Sequence, residues 1–333
     1  MKIIVTGGCG FIGSHLVKKL LSKNHKVLNI DNLGIVSSPE SLLEIKKSNK
    51  YTFKKINLRD YKKLRSIFLT FKPDVVFHLA AESHVDNSII NSKSFIETNI
   101  VGTYNLLESA RDYLKEKKNY FRFIHISTDE VYGSLNLNEK KFTENNKFYP
   151  SSPYSASKAS SDMLVYAWYK TYNLPTIITN CVNNFGAWQY PEKLIPVIVS
   201  QCIKFKKIPI YGNGQNTREW IFVNDHVDYL YNLIKRGKIG QCYNIGSGKE
   251  LSNIKLAEKI CSIFDKFLPK SKKYSSLINF VEDRKGHDFR YSVNYNKIKS
   301  IINKKNDKKF DENLFDTVKW YIDNKDWLLN KIK

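Results

Sequence analysis

A short apolar segment that leads directly into a glycine-rich turn and a helical pattern opens the chain. The stretch VTGGCGFIGSH overlaps the end of Lys2–Thr6, which has the pattern of a buried strand. Gly8, Gly10 and Gly13 fit the G-x-G-x-x-G spacing. With Gly7, the turn also fits the looser G-x-x-G-x-x-G spacing. Glycines in such a turn let backbone N–H groups approach a pyrophosphate at a helix N-terminus, so the start of the chain predicts a dinucleotide-binding unit.

Apolar strands and helical patterns alternate over the first half of the chain. The predicted strands are Lys2–Thr6, Lys26–Ile30, Tyr51–Ile56, Val75–Leu79, Phe121–Ser127, Thr176–Asn180 and Cys242–Ile245. The predicted helices are Gly13–Lys23, Lys62–Phe71, Ser92–Lys117 and Tyr154–Tyr172. Several strands are continuous apolar runs, as is typical of parallel strands covered on both faces. The alternation predicts an α/β fold with a Rossmann-type doubly wound parallel sheet.

An acidic residue at the end of the second predicted strand indicates which dinucleotide the turn binds. Asp31 lies eighteen residues beyond Gly13. A carboxylate at this place accepts hydrogen bonds from the hydroxyl groups of an adenosine ribose and repels a 2′-phosphate, so NAD is favoured over NADP. Leu79, Ala80 and Ala81 follow the fourth strand, where the backbone has to pass close to the cofactor.

The alternation weakens after about residue 185, where Pro, Tyr and basic residues become more frequent. The segment Val223–Gly248 then has the pattern of a return to the sheet. We therefore expect residues 1–184 and about 223–248 to form an NAD-binding Rossmann domain. Residues from about 185 to 222, together with 249–333, are expected to form a smaller C-terminal α/β substrate-binding domain.

The composition argues against several classes of protein. The chain carries 54 basic and 32 acidic residues, a formal charge of +22, but the lysines are dispersed and no nucleic-acid-binding motif is visible. Its five cysteines form no CxxC pair and no Cys/His ligand spacing, which indicates reduced thiols in the cytoplasm and no metal site. No apolar run approaches a membrane span, and no signal peptide precedes the first strand. We expect a cytoplasmic protein without nucleic-acid or membrane partners.

Two adjacent acids follow a predicted buried strand in the stretch FIHISTDEVYGS. Asp129 and Glu130 stand where the apolar run ends, although neighbouring carboxylates repel each other when they are not fully solvated. Two close carboxyl groups do not ionise independently, so one pKa rises while the other stays low. One protonated and one ionised group form the acid/base pair that an elimination reaction requires.

A tyrosine and a lysine share one face of a predicted helix in PSSPYSASKAS. Ser152 can cap this helix, and Pro153 suits its first position. Tyr154 and Lys158 are four residues apart and therefore lie one above the other. The free phenol has a pKa near about 10, so a base that works near neutrality needs a neighbouring cation. Lys158, together with the positive nicotinamide ring of the cofactor, can supply it.

A series of motifs, in order and nearly from end to end, resembles the extended short-chain dehydrogenase/reductase family and, within it, the dTDP-glucose 4,6-dehydratases. The motifs are TGGCGFIGSH, HLAAESHVDNSI, ETNIVGT, STDEVYG, YSASKAS, NCVNNFG, PEKLIP, YGNGQNTREWIFVNDH, YNIG and DRKGHDFRY. The resemblance implies a hydro-lyase of deoxysugar biosynthesis that converts dTDP-glucose to dTDP-4-keto-6-deoxyglucose and water, with NAD as a regenerated cofactor.

The resemblance also implies how the chemistry is divided among the residues. Thr128, Asp129 and Glu130 would face the sugar. Tyr154, held by Lys158 and Thr128, would take the proton of the 4-hydroxyl while C4 gives hydride to NAD. Glu130 would then remove the C5 proton and Asp129 would protonate the leaving 6-hydroxyl, before hydride returns to C6.

Binding residues follow from the same resemblance. The cofactor set is Gly7, Gly10, Phe11, Ile12, Gly13, Asp31, Asn32, Asn57, Leu58, Leu79, Ala80, Ala81, Ser83, Thr98, Tyr154, Lys158 and Asn184. The substrate set is Ser83, Thr128, Asn183, Lys193, Leu194, Pro209, Tyr211, Arg218, Asn253, Asp283, Arg284 and His287. Arg218 and Arg284 suit a diphosphate because guanidinium groups bind phosphate through paired hydrogen bonds. The family further implies a homodimer formed by Ser92–Lys117 and the Tyr154 helix.

Several positions depart from the family pattern and keep alternatives open. Asn57 stands where an Asp is common, Asn87 replaces a frequent Arg, and the run NLGIVSSPES after Asp31 is unusual. Ala187 and Trp188 occupy positions where Pro and an aromatic residue are usual. UDP-glucose or another nucleotide hexose is therefore an alternative substrate. A 4-epimerase or a UDP-glucuronate decarboxylase would need the Tyr/Lys pair but not the acid pair. An inactive basic binding protein is the alternative of a different class.

Overall fold

The structure is a computed structural model of the chain and describes residues 1–116, 120–283, 286–302 and 309–332. The strands are β1 (Lys2–Thr6), β2 (Lys26–Asp31), β3 (Tyr51–Lys55), β4 (Val75–His78), β5 (Arg122–Thr128), β6 (Thr176–Cys181), β7 (Asn183–Phe185), β8 (Ile208–Tyr211), β9 (Thr217–Phe222), β10 (Cys242–Ile245), β11 (Glu250–Ser252), β12 (Ile278–Val281) and β13 (Arg290–Tyr291). The α-helices are α1 (Phe11–Ser22), α2 (Tyr61–Phe71), α3 (Val85–Ile90), α4 (Ser92–Phe95), α5 (Gly102–Glu116), α6 (Pro153–Tyr172), α7 (Leu194–Lys204), α8 (Val223–Arg236), α9 (Asn253–Phe267), α10 (Asn296–Ile301), α11 (Phe310–Asp323) and α12 (Lys325–Lys331). Short 3₁₀ turns occupy Pro39–Ile45, Asp129–Tyr132 and Tyr274–Leu277.

Seven parallel strands form the main sheet in the order β10-β6-β5-β4-β1-β2-β3. These are the seven strands that the sequence predicts, and each end lies within one residue of its predicted position. Every neighbouring pair in this sheet is parallel, and helices connect the strands, so the Rossmann-type fold is confirmed. The central strands are buried along their whole length, which is why they read as continuous apolar runs.

One predicted helix is wrong in its internal structure. In place of a single helix over Ser92–Lys117, α4 and α5 flank a π-helical segment at Ile96–Val101, and Lys117 lies outside the described residues. Asn99, in the wide turn, is buried and pairs twice with the backbone of Glu82. Its Oδ1 accepts from the Glu82 N–H at 2.8 Å, and its Nδ2 donates to the Glu82 carbonyl at 3.0 Å. This contact with the loop after β4 is not encoded in helical periodicity.

The two faces of the main sheet bury separate hydrophobic clusters because side chains alternate along each strand. Ile3 and Val5 point to the side of α1 and α8, where Leu230 joins them. Ile4 points to the opposite side, where it meets Leu106 of α5. All five side chains are fully buried or nearly so.

A third cluster lies among α7, α9, α11 and the smaller sheets, with Ile198, Phe264 and Tyr321 buried in it. Strand β9 pairs with β7, β11 and β13, and β8 pairs with β12. The C-terminal residues Val293 and Ile298 instead belong to the cluster under α1 and α8. We propose the division into two domains on the strength of the separate third cluster.

Helix α6 is fixed at its N-terminus by a reciprocal cap. The Ser152 hydroxyl accepts from the Ser155 N–H, and the Ser155 hydroxyl accepts from the Ser152 N–H at 3.0 Å. Pro153 occupies the first helical position, and Asn173 ends the helix in the left-handed conformation. The cap sets where the first turn of α6, which carries Tyr154, begins.

We expect Ser152→Ala to lower the free energy of unfolding by about 1 kcal/mol, because the first turn loses one partner of its cap. Urea denaturation followed by circular dichroism measures this change. Ser22→Ala, at an exposed serine that bonds only the Lys19 carbonyl, is the control and should stay within about 0.5 kcal/mol of the unmodified protein. Equal losses in the two variants would contradict a special role of the cap.

Candidate active site

The glycine turn after β1 brings two backbone segments closer than side chains allow. Gly7 has φ +71°, and a Cβ there would lie 2.7 Å from the Ala80 Cα. A Cβ on Gly13 would lie 2.1 Å from the Gly7 carbonyl oxygen. The Ala80 N–H donates to the Thr6 hydroxyl at 3.2 Å, which ties the loop after β4 to the same turn. The turn therefore leaves its backbone N–H groups at the start of α1 open to a phosphate group, as a dinucleotide requires.

Asp31 is built into this turn. Its Oδ2 accepts from the Cys9 N–H at 2.9 Å, and its Oδ1 accepts from the Leu33 N–H at 2.8 Å and the Ser37 hydroxyl at 3.0 Å. A carboxylate has further acceptor capacity beyond these three donors. The residues present therefore fit NAD, with a fixed negative charge beside the phosphate turn.

The other predicted cofactor residues follow the carboxyl ends of the same strands or the segments after them. Phe11 and Ile12 start α1, Asn32 follows β2, Asn57 and Leu58 follow β3, Leu79, Ala81 and Ser83 follow β4, Thr98 lies in the π-helical segment, and Asn184 lies on β7. Asn57 bonds the Arg59 N–H through its Oδ1 at 2.9 Å. Asn184 is buried, with its Nδ2 on the Val182 carbonyl at 2.9 Å. Their contacts with a cofactor stay a prediction.

The acid pair lies in a 3₁₀ turn that begins where β5 ends. Thr128 caps this turn: its hydroxyl accepts from the Glu130 N–H and donates to Asp129 Oδ1, both at 3.3 Å. Asp129 is 1% exposed, and its Oδ2 has no hydrogen-bond partner among the described residues. Burial raises the pKa of Asp129 well above its ordinary value, and the negative charges of Glu130 and Glu219 raise it further. Its surroundings therefore favour the protonated form of Asp129 more than water does.

Tyr154 faces the acid pair from the first turn of α6. Burial raises the pKa of its phenol well above 10, and the charge of Glu130 adds to the rise. The Thr128 hydroxyl is the group that opposes this rise by hydrogen bonding. The Lys158 ammonium, also buried, donates to the Ile126 carbonyl at 2.9 Å. The pKa of Tyr154 is therefore raised in this structure and not lowered as the sequence leads us to expect, because burial outweighs the Thr128 hydrogen bond.

Arg218 is held more tightly than a simple phosphate ligand would be. Its guanidinium group donates to the carbonyls of Thr217 and Asp288, each at 2.9 Å, and of Phe289 at 3.2 Å. Its Cζ lies 4.4 Å from the centroid of the Tyr291 ring. The positive charge lowers the pKa of Asp129, although burial outweighs this effect, so Arg218 lies near the acid pair.

The remaining predicted substrate residues lie on several elements of the C-terminal half or in the loops beside them. His287 Nδ1 lies 2.6 Å from Asp283 Oδ1, and the His287 ring meets Tyr211 edge to face. Asn253 is nearly buried, and its Oδ1 has no partner among the described residues. Lys193 donates to the Ser83 carbonyl at 2.8 Å. Leu194 starts α7, Pro209 is exposed on β8, Asn183 lies on β7, and Arg284 lies outside the described residues.

Sequence reasoning missed a second layer of residues behind the site. Asp162 and Asn180 are buried, and Asn180 Nδ2 donates to both Asp162 Oδ2 and the Thr128 carbonyl, at 3.0 and 3.2 Å. A carboxylate one helical turn beyond Lys158, on the same face as Tyr154, is the signal that identifies Asp162. Tyr291, whose hydroxyl donates to Asp288, also faces Glu130 and had no assigned role.

A parallel sheet with a phosphate turn at one strand end and a Tyr/Lys helix beside it places the chain among the extended short-chain dehydrogenases/reductases. Within that class, the chain belongs to the GDP-mannose 4,6-dehydratase family, whose model matches residues 4–317.

Curated relatives and solved structures narrow the likeness to one group of that family. The chain is 46% identical to a dTDP-glucose 4,6-dehydratase from Haemophilus influenzae, over 97% of this chain and 98% of the relative. It is 47% identical to dTDP-glucose 4,6-dehydratase 1 from Escherichia coli strain K12, over 99% and 95%. The crystal structure of a dTDP-glucose 4,6-dehydratase from Streptomyces venezuelae with NAD bound has a TM-score of 0.90 and 38% identity, over 98% of each chain.

Membrane-crossing helices and clusters of metal-ligating side chains are both absent from the described residues. Among residues 1–116, 120–283, 286–302 and 309–332, no helix has the length and apolar character needed to cross a membrane. In the same part of the chain, no three His, Cys, Asp or Glu side chains are grouped so as to hold a metal ion.

We expect Asp129→Asn to raise the melting temperature at pH 7–8, with the gain shrinking as the pH falls toward 4. Burial raises the folded-state pKa of Asp129 above its value in the unfolded chain, so this carboxyl group costs stability above the unfolded-state pKa, and the cost disappears as the pH falls below it. Asparagine has no such cost. Differential scanning calorimetry at several pH values measures the change.

Asp60→Asn is the control, and it should lower the melting temperature at neutral pH. The pKa of this exposed cap is lowered by hydrogen bonds from Lys63, so its contribution to stability is present at neutral pH and is lost as the pH falls. A stability change in Asp129→Asn that does not vary with pH would contradict a buried, protonated Asp129.

Proposed function

We propose that the chain catalyses the NAD-dependent dehydration of dTDP-glucose to dTDP-4-keto-6-deoxyglucose and water. The observation that carries the proposal is the buried Asp129 next to Glu130, whose surroundings raise the Asp129 pKa, at a strand end that Tyr154 also faces. The likeness to dTDP-glucose 4,6-dehydratases over nearly the whole chain supports the nucleotide and the hexose.

The residues divide the reaction into proton transfers on neighbouring sugar carbons. Tyr154 takes the proton of the 4-hydroxyl, while the Thr128 hydroxyl orients the phenol and Lys158 stabilises the phenolate. When bound, NAD supplies a reversible two-electron oxidation, first at C4 and later in the opposite sense at C6. The 4-ketone makes the C5 proton acidic, and Glu130 removes it. Asp129 gives its proton to the leaving 6-hydroxyl, so water departs, and C5 is then reprotonated.

The acid pair separates this reaction from others that use the same scaffold. An epimerase or a decarboxylase needs a tyrosine base and a lysine. In those reactions the sugar loses no hydroxyl group, so no leaving group has to be protonated. Asp129 lies where bulk water does not reach, and burial raises its pKa, which suits the delivery of a proton to a leaving group. The geometry therefore favours dehydration.

The nucleotide diphosphate is expected to lie against Arg218, Asn253 and His287. Arg218 supplies a permanent charge next to the acid pair, and the Asn253 amide can donate through its Nδ2 to a phosphate oxygen. Lys193, at the start of α7, adds a second positive charge on the side of Ser83.

Incubation with dTDP-glucose and UDP-glucose in parallel tests the proposal, with the 4-keto-6-deoxy product followed by its absorbance in alkali. We expect turnover of dTDP-glucose to exceed turnover of UDP-glucose. Asp129→Asn and Tyr154→Phe should each reduce turnover by about a hundredfold or more, because each removes one acid/base group.

The two variants should fail at different steps. Tyr154→Phe should not form NADH on addition of substrate, whereas Asp129→Asn should oxidise C4 and accumulate NADH, seen by absorbance. Tyr61→Phe, whose hydroxyl bonds Asp112 away from the site, is the control and should keep full turnover. Normal turnover in either site variant would overturn the assigned roles.

We further propose that the chain works as a homodimer in the cytoplasm. An open apolar groove of about 500 Å³ lies along α6 and includes Ile100, Ala159, Met163 and Leu164. Met163 is 54% exposed, and Tyr166, one turn away, is 48% exposed. Apolar side chains in contiguous exposed positions favour burial against a second copy of the same face. All five cysteines are free thiols, which supports a reducing compartment.

We expect Met163→Glu to convert the dimer to a monomer, because the symmetric face would then place two carboxylates against apolar surface. Sedimentation equilibrium measures the mass. Ile35→Glu, at an 86% exposed apolar residue outside this face, is the matched control and should leave the mass unchanged. A monomeric unmodified chain, or an unchanged mass in Met163→Glu, would refute the assigned interface.

A further inference from the structure

Three side chains, one from α6 and two from β6, hold the carbonyl groups at the end of β5. Lys158 donates to the Ile126 carbonyl at 2.9 Å, Cys181 donates to the Ser127 carbonyl at 3.3 Å, and Asn180 donates to the Thr128 carbonyl at 3.2 Å. These three carbonyls come directly before the acid pair. The direction in which the acid pair leaves the strand is therefore set by these contacts.

Asp162 connects two of these contacts. It lies one helical turn beyond Lys158 on α6 and is 1% exposed, while Lys158 is 4% exposed. Its Oδ2 accepts from Asn180 at 3.0 Å. His125 Nε2 lies 3.1 Å from its Oδ1, but the two atoms do not have hydrogen-bond geometry. A lysine and an aspartate are thus buried together behind Tyr154.

An ammonium group that is buried without a counter-charge loses its proton more readily. Burial lowers the pKa of Lys158, and Asp162 is the group that most strongly raises it again. Burial raises the pKa of Asp162 to about 7, and Lys158 opposes that rise. Asp162 therefore becomes negative above about pH 7. A negative Asp162 in turn favours the protonated form of the buried Lys158.

The other titratable groups around the pair stay neutral in this range. The pKa values of His78 and His125 are held well below 6.5 by burial and by the charge of Lys158. Burial raises the pKa of Cys181 to about 12, and it raises the pKa values of Cys242 and Tyr132 far above neutrality. Tyr154, Asp129 and Glu130, which are described above, face Lys158 and Asp162 from the substrate side. Behind Lys158, Asp162 is accordingly the group that supplies a negative charge.

We propose that Asp162 is a positioning residue of the reaction, a buried counter-charge that keeps Lys158 cationic and, through Asn180, holds the Thr128 carbonyl. The inference rests on the proposed function, because a cationic Lys158 matters only if Tyr154 acts as the base. According to this inference, activity falls at high pH because Lys158 loses its proton. The pH at which activity falls, called the alkaline limb of the pH profile, then depends on Asp162.

The decisive change is Asp162→Asn, because an amide keeps the acceptor for Asn180 and removes only the charge. With dTDP-glucose as substrate, kcat and kcat/KM of this variant should fall at a pH roughly 1–2 units lower than in the unmodified enzyme. The reason is that the opposite charge that raised the Lys158 pKa is gone. Asp162→Glu should restore the limb toward that of the unmodified enzyme. Ser161→Ala, a buried neighbour on α6 that bonds the Asn99 carbonyl, is the control and should leave the limb in place.

If the alkaline limb of Asp162→Asn stays at the same pH as in the unmodified enzyme, the proposal is overturned, even if the rate is lower. Asp162 would then have only a structural role. Asp162→Ser, which removes the charge with a smaller side chain, replaces the asparagine variant if that variant does not fold. If both fail to fold, infrared pH-difference spectra of the unmodified enzyme decide. They should show a buried carboxyl group that loses its proton near pH 7, and its absence would exclude the charged role.

The proposed function and this inference fail separately. An unmodified enzyme that does not dehydrate dTDP-glucose would refute the function. An active unmodified enzyme with an unmoved limb in Asp162→Asn would refute only the role of Asp162.

Discussion

The burial of ionisable side chains at the end of β5 is the constraint on which the site depends. Asp129, Lys158 and Asp162 all lie where water does not reach them. In such surroundings a charge persists only if it is paired or hydrogen-bonded; otherwise the group becomes neutral. For Asp129, burial raises the pKa and the charge of Glu130 raises it further, so the neutral form is favoured. Lys158 meets the constraint through the Ile126 carbonyl and the charge of Asp162. The end of one strand therefore favours both an acid and a cation.

The parallel sheet brings the two halves of the chemistry to the same edge. The carboxyl ends of parallel strands lie together, so the glycine turn after β1, Asp31 at the end of β2 and the acid pair after β5 share one side of the molecule. Helix α6 packs against β5 and β6 and carries Tyr154 and Lys158 along this edge. Strand β13 then closes the site from the other side: Leu135, just beyond the acid turn, donates its N–H to the Arg290 carbonyl.

Most of the main sheet could be predicted because its signals are local. A run such as VVFH is apolar at every position, and it is buried on both faces as strand β4. The predicted helix over Ser92–Lys117 failed for the opposite reason. The π-helical segment exists because Asn99 pairs with the backbone of Glu82, a partner that helical periodicity within the segment does not reveal. The sequence prediction for Arg218 is also incomplete. It gives a phosphate ligand but does not reveal the three backbone carbonyl groups to which the guanidinium group donates.

The sequence by itself determined the fold class, the glycine turn, the acid pair and the Tyr/Lys helix, because each is a pattern of residues close together in the chain. Only the tertiary structure decided that Asp162 lies behind Lys158 with Asn180 and His125 around it, because those side chains come from α6, β6 and β5. It also decided that the pKa of Asp129 is raised. That shift depends on how much water the carboxyl group loses, and burial is a property of the packed chain rather than of any short segment of it.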